Sequence, residues 1–125
     1  TAMFSWPQSK PEASARMASF SKYFVQDKTS QAQIFFSSQS TKILAESISS
    51  QAAFEITGMA ADFDAVKNVY VVVLDGVQTI LKNETKISQK VSIDISLRQA
   101  DENRKNYEEV ILEISEVKVR KDEKV

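Results

Sequence analysis

Neither cysteine nor histidine occurs among the 125 residues, and glycine and proline occur only twice each. The first two absences remove thiolate and imidazole ligands, thiol nucleophiles and the side chain best suited to proton transfer near neutral pH, which excludes most catalytic schemes. Gly58 and Gly76 stand alone, and neither a phosphate-cradling loop nor a dinucleotide fingerprint can be built from two isolated glycines, so no nucleotide cofactor is expected. A surplus of positive charge is also lacking. With 16 Lys and Arg against 17 Asp and Glu, nothing is left over to neutralise a run of phosphates, and nucleic acid is not an expected partner. No apolar run approaches the roughly 20 residues that cross a bilayer, and no basic segment leads into an apolar one as in a signal peptide. Zero cysteine suits a cytoplasmic protein, and equally an exported domain from a bacterium that does not rely on disulfides.

What is present is ordinary globular composition, 42% hydrophobic and 26% charged, in a length that suits one domain with a real core. There is no internal repeat and no sustained heptad. The expected organisation is a disordered lead-in over 1–8, a single α+β domain over 9–120 and a tail over 121–125. Thr1-Ala2-Met3 reads as the scar of a cleaved tag, which makes the chain an excised portion of a longer protein whose membrane anchor, if it has one, was left out.

Ser9-Lys10-Pro11-Glu12 announces a helix: a serine N-cap, glutamate three residues later and proline in the first turn. Ala13, Met17, Phe20 and Phe24 repeat on one face of it. From Ser30 to Gln51 the chain is rich in serine and glutamine, with Ile34, Phe35, Phe36, Ile43, Leu44 and Ile48 split by a polar gap at Ser37 to Lys42, and this reads as two shorter helices. After Gly58 the pattern changes. Val69 to Leu74 is a β-branched run ending at Asp75-Gly76, a strong turn signal, and Val77 to Leu81 is a further short strand. Val91, Ile93, Ile95 and Leu97 alternate with polar residues. Asp101 to Asn106 is turn-like, and a last strand runs from Tyr107 to Arg120. Its inward set changes parity between Ile114 and Val117, which predicts a β-bulge near Ser115-Glu116. Three helices followed by about four antiparallel strands make an α+β fold, with a curved sheet packed on the helices.

No residue is assigned a catalytic, cofactor-binding or metal-ligating role. Asp62 and Asp64 flank Phe63, but no third ligand follows, so they read as loop acids. Asp94 lies between Ile93 and Ile95, yet alternation turns it toward solvent. Three apolar residues are candidate partner contacts. Trp6 either anchors a partner or caps the core. Phe36 is adjacent to Phe35, so the two do not share the centre of one narrow buried stripe, and either Phe36 is exposed or the apolar face is wide. Ile111 breaks the alternation beside Val110 and Leu112, leaving an apolar group on the wet face or under another element of the chain.

The order of elements, with Phe20-Ser21-Lys22-Tyr23-Phe24-Val25 on the first helix and strands at Val69, Val77, Val91 and Val110, resembles the VirB-eight-like subunits of type IV secretion systems over roughly residues 13 to 120. The serine, glutamine and lysine richness is most similar to versions from conjugative plasmids of Gram-positive bacteria. That resemblance implies a cystatin-like domain, akin to nuclear transport factor two, held outside the cytoplasmic membrane by a single helix that precedes it. It implies a non-enzymatic scaffold whose partners are other channel subunits and further copies of itself, with no cofactor. Gram-negative members carry an Asn-Pro turn before the last strand, whereas Asp101 to Asn106 has no proline, so their dimer contacts do not transfer. A second reading, suggested by enzymes of the same fold, is a small-molecule-binding or isomerase- or dehydratase-like domain. Tyr23, Tyr70 and Asp94 would supply its chemistry inside a polar pocket of several hundred Å³, and such a domain would be cytoplasmic. A third is a domain of another envelope machine, such as a sporulation or division complex.

Overall fold

The computed structural model describes residues 3–27, 29–101, 105 and 111–124. Helix α1 (Lys10–Phe20) is followed by a 3-10 turn (Ser21–Tyr23) and helix α2 (Gln31–Glu46); strands β1 (Ser50–Asp64), β2 (Val69–Lys82), β3 (Thr85–Gln99) and β4 (Leu112–Lys124) complete the fold. The strands form one antiparallel sheet in the order β1-β2-β3-β4. Among the described residues the fold is therefore α+β with a four-stranded antiparallel sheet, as expected, but two α-helices precede the sheet rather than three. Among the described residues, no helix is long and apolar enough to cross a membrane.

Helix α1 starts where its signals place it: the Ser9 hydroxyl accepts the Glu12 N–H at 3.4 Å. Ala13 and Met17 are buried. Phe24 is buried as well, but it follows the helix in extended backbone and bridges to Ile114. Helix α2 has a tighter start. Asp27 accepts the Thr29 N–H and hydroxyl at 2.9 and 2.8 Å, and these bonds, the backbone one foremost, hold its carboxyl below the usual aspartate value. Ser30 then caps the Gln33 N–H at 3.2 Å.

The two helices expected over Ser30 to Gln51 are one, because the polar gap is part of its buried stripe. Ala32, Phe36, Gln39, Ile43 and Ser47 recur every three or four residues and are buried or half-buried. Gln39 is tolerated there because its amide Nε2 donates to the Met3 carbonyl at 2.7 Å, which satisfies a polar group that would otherwise be costly to bury.

The lead-in corrects a second expectation. Met3 to Pro7 is not a disordered prelude. Trp6 is 3% exposed and exchanges backbone bonds with Ala52, both at 2.9 Å. Phe4 is buried, and its carbonyl accepts from the buried Gln78 side chain at 2.9 Å. Nor is 121–124 a tail, since β4 continues through it.

Both helices cover one face of the sheet. Phe4, Phe24, Val25 and Ala32 pack on Leu74, Val91, Ile93 and Val117, while Trp6, Ala13, Met17, Ile43 and Ala52 form a second cluster. The alternation in β3 is borne out, with Val91 and Ile93 buried beneath the helices. Asp75-Gly76 is not a turn. β2 runs straight through it, so Val69–Leu74 and Val77–Leu81 are one strand. The β2–β3 reversal falls at Asn83 and Glu84, both with positive φ, 50° and 65°, as a tight two-residue hairpin requires. The predicted bulge is present: Ser96 pairs with Glu116 and Leu97 with Ile114, leaving Ser115 as the extra residue. The start of the last strand at Tyr107, and most of the Asp101 to Asn106 turn, lie outside the described residues.

The free edge of β4 is protected in two places. Val25 donates to the Ile114 carbonyl at 2.9 Å. Three residues on, the Gln31 amide imitates a strand, accepting the Val117 N–H at 2.9 Å and donating to the Val117 carbonyl at 2.7 Å. Gln31→Ala is expected to lower stability by about 2 kcal/mol, as two net hydrogen bonds are lost, with the Val117 amide losing protection from hydrogen exchange. An unchanged exchange rate at Val117 would show that the edge is held by something else.

Candidate docking surface

The helices cover the sheet only in part, and the uncovered portion is the far half of the β1–β2 hairpin. Its register defines what each face presents. On the helix side, Ile56 lies opposite Gly76, Met59 opposite Leu74, Ala61 opposite Val72 and Phe63 opposite Tyr70. Between Ile56 and Gly58 the register shifts by one residue, so Thr57 is a bulge that keeps Phe54, Ile56, Met59, Ala61 and Phe63 all on this face. Without that extra residue, Met59 and Phe63 would turn to the opposite side.

These side chains are apolar and wet. Met59 is 72% exposed, Phe63 45%, Tyr70 46% and Ile56 46%. Phe63 and Tyr70 meet as a tilted pair with ring centroids 4.9 Å apart, an arrangement that aromatic rings favour. Scattered single hydrophobes on a surface are normal, whereas a contiguous exposed set on one hairpin is the kind of surface that interaction sites present.

The opposite face of the sheet divides down its middle. On β3 and β4 it is polar and internally paired: Arg120 bonds to Asp94 at 2.8 Å and Arg98 to Glu113 at 2.7 Å, and the Ser92 hydroxyl reaches Asp75 at 2.5 Å. On β1 and β2, Ala60, Asp62, Val71 and Val73 line an open concavity of about 550 Å³. The small side chains of β1 make this hollow. Asp64 at its end closes the hairpin turn by accepting the Val66 and Lys67 N–H groups at 3.0 and 3.1 Å. Among the described residues, no cluster of acids suited to a metal ion exists. Asp62 and Asp64, read from sequence as loop acids, lie at the end of β1, and their carboxylates accept backbone N–H groups.

The three residues named from sequence do not converge. Trp6 is a core residue, its indole Nε1 donating to Ser50 at 3.3 Å, and so offers no surface to a partner. Phe36 is half-buried and packs on Phe24 as a tilted ring pair with centroids 5.0 Å apart, while its neighbour Phe35 also packs on the core. The apolar face of α2 is wide, and neither ring projects freely. Ile111 is 69% exposed, and its carbonyl accepts from Ala100 at 2.9 Å. The hairpin set of Ile56, Met59, Phe63 and Tyr70 was missed. Its signal was the alternation Phe54, Ile56 and then Met59, Ala61, Phe63, with a change of parity at Thr57-Gly58 of the same kind that located the Ser115 bulge.

Tyr70 and Asp94 lie on opposite faces of the sheet, because Tyr70 pairs with Leu97 on the helix side and Asp94 alternates with the buried Ile93. They do not share a pocket. Beneath the helices lies a cleft of about 140 Å³, lined by apolar side chains, among them Phe20, Phe24, Phe35, Ile95 and Ile114.

No protein-family model matches this chain, and comparison with curated proteins and with solved structures finds no match.

Proposed function

We propose that this domain is a non-enzymatic docking module and, following the resemblance drawn from its sequence, an assembly domain of a conjugative type IV secretion channel. In this reading it is a cystatin-like unit anchored at the outer side of the cytoplasmic membrane by a segment preceding this chain, and it works through contacts with other channel subunits. The observation that carries the docking reading is the exposed apolar face of the β1–β2 hairpin, with Met59, Phe63 and Tyr70 at its centre. Burying such a face contributes roughly 25 cal/mol for each Å² of apolar surface removed from water, a driving force for association that an isolated fold leaves unused. The ligand-binding alternative asks for a polar pocket of several hundred Å³, and the cleft described beneath the helices, about 140 Å³, is lined by apolar side chains.

The test is capture of the protein from its native host after crosslinking in the cell, with co-purified proteins identified by mass spectrometry. Channel ATPases and membrane subunits of a conjugation apparatus are expected with the natural sequence, and their loss is expected with the double variant Met59→Lys, Phe63→Lys, whose folding is left intact because both side chains are exposed. Recovery of only metabolic enzymes, or capture indifferent to the double variant, would overturn the reading.

A further inference from the structure

The two edges of the sheet are treated differently. β4 is capped by Val25 and by the Gln31 amide. Among the described residues, β1 is capped at its start, where Trp6 pairs with Ala52 and the Ser5 hydroxyl accepts the Phe54 N–H at 2.8 Å. From Gly58 to Asp64, no strand among the described residues pairs with its outer side. The N–H groups of Ala52 and Phe54 face outward, and past the bulge the same alternation turns those of Met59, Ala61 and Phe63 outward. Phe63 shows this directly: its N–H points away from β2 and is taken at 2.8 Å by the adjacent Asp62 carboxylate. A regular edge of this length with no proline, flanked by exposed apolar side chains, is a template for another strand.

We infer that the occupant of this edge is β1 of a second copy of the chain, paired antiparallel about a two-fold axis at Ala61, so that two sheets join into one. This deepens the docking reading and rests on it. The register follows from the side chains. With Ala61 opposite its own copy, Met59 lies opposite Phe63 of the second copy and Phe63 opposite its Met59, so each exposed apolar group meets another. On the other face, Asp62 falls opposite Ala60 and Asp64 opposite Gly58. Beyond the strand, Glu55 approaches Lys67 of the second copy, a pair of opposite charge, and the 97% exposed Val66 approaches Ile56. Sliding the partner by two residues in one direction sets Asp62 against Asp62, like charges directly opposed, which is unfavourable. Sliding it the other way places Met59 opposite Ala61 and Phe63 opposite Thr57, and the apolar match is lost. The pairing ends at the bulge, before the capped segment at Phe54, so Ser5 and Trp6 do not obstruct it. The contact is isologous and closed, and therefore makes a dimer rather than a filament.

The contact is small, so the dimer is expected to be concentration-dependent, with a dissociation constant of about 1 µM or weaker. Sedimentation velocity from about 10 µM to about 1 mM spans that range. The natural chain should shift from monomer to dimer. Ala61→Lys, which sets two ammonium groups on the two-fold axis, should remain monomeric throughout. Asp62→Ala, which frees the Phe63 N–H and removes two negative charges from the contact, should dimerise several-fold more tightly. The chain has no cysteine, so the register can be read separately. Facing residues of a hydrogen-bonded antiparallel pair have Cα atoms about 5.5 Å apart, within disulfide range. Ala61→Cys should therefore oxidise to a covalent dimer, while Ala53→Cys on the other face of β1 should not. A chain that stays monomeric at the highest concentration, or a dimer indifferent to Ala61→Lys, overturns self-pairing. A monomer that still captures channel subunits would fail this inference alone, whereas a β1-paired dimer that captures none would fail only the secretion assignment.

Discussion

Replacing Gly76 by alanine is expected to lower stability by about 3 kcal/mol, the upper part of the range for forcing an added group into a packed site. In a domain of this size that is a fall in Tm of roughly 10 °C. Glycine is usually kept for a positive φ, but neither glycine here has one. Gly76 is needed for close approach. A Cβ there would be driven into the Glu55 carbonyl oxygen and would lie 2.5 Å from Phe54 Cζ. The Phe54 ring lies across the space that a side chain at 76 would fill, and it also packs on Phe4 with centroids 5.8 Å apart. Shifting the ring therefore disturbs the lead-in as well. Gly58 is the control, because a Cβ there would stand 3.8 Å from Asp75, an ordinary contact. Gly58→Ala should be neutral or stabilising by up to about 1 kcal/mol, since alanine restricts the unfolded chain more than glycine does. Thermal and urea unfolding of the two variants side by side decides the matter. Equal effects at the two glycines would mean that Gly76 answers to strand propensity and not to the Phe54 ring.

Trp6→Ala should be more damaging still, at about 4 kcal/mol, the range for truncating a buried aromatic to alanine. The side chain fills the junction of α1, α2 and β1, touching the cluster of Ala13, Met17, Ile43 and Ala52. Its loss leaves a cavity and leaves the Ser50 hydroxyl without the indole donor. Trp6→Phe should recover part of the loss by refilling the space without restoring that hydrogen bond. Ile111→Ala should stay within about 0.5 kcal/mol of the parent, as exposed substitutions generally do. A small effect at Trp6, measured by denaturant midpoint at constant m-value, would mean that the lead-in is dispensable. It would remove the reason for Gln39 and Gln78 to be buried against it.

Some of this architecture is local, and local chemistry is legible in sequence. Ser9 caps α1 because a serine hydroxyl before an unsatisfied N–H has one good partner within reach. Val91 and Ile93 face the core because a strand has period two. The Ser115 bulge was visible because an inserted residue must reverse the parity of everything after it.

The rest depended on contacts distant in the chain. Gln39 belongs to a buried stripe only because the Met3 carbonyl, 36 residues away, accepts its amide hydrogen. Asp75-Gly76 carries the composition of a turn, yet stays in β2 because Phe54 needs the empty space beside Gly76. β1 is poor in β-branched residues and becomes a strand by pairing along its length with β2. Composition, the α+β class, the first cap, the β3 alternation and the last bulge were thus determined by the sequence alone. The continuous second helix, the docked lead-in and the exposed hairpin edge were decided by tertiary structure, since each rests on a partner group that no window of neighbouring residues contains.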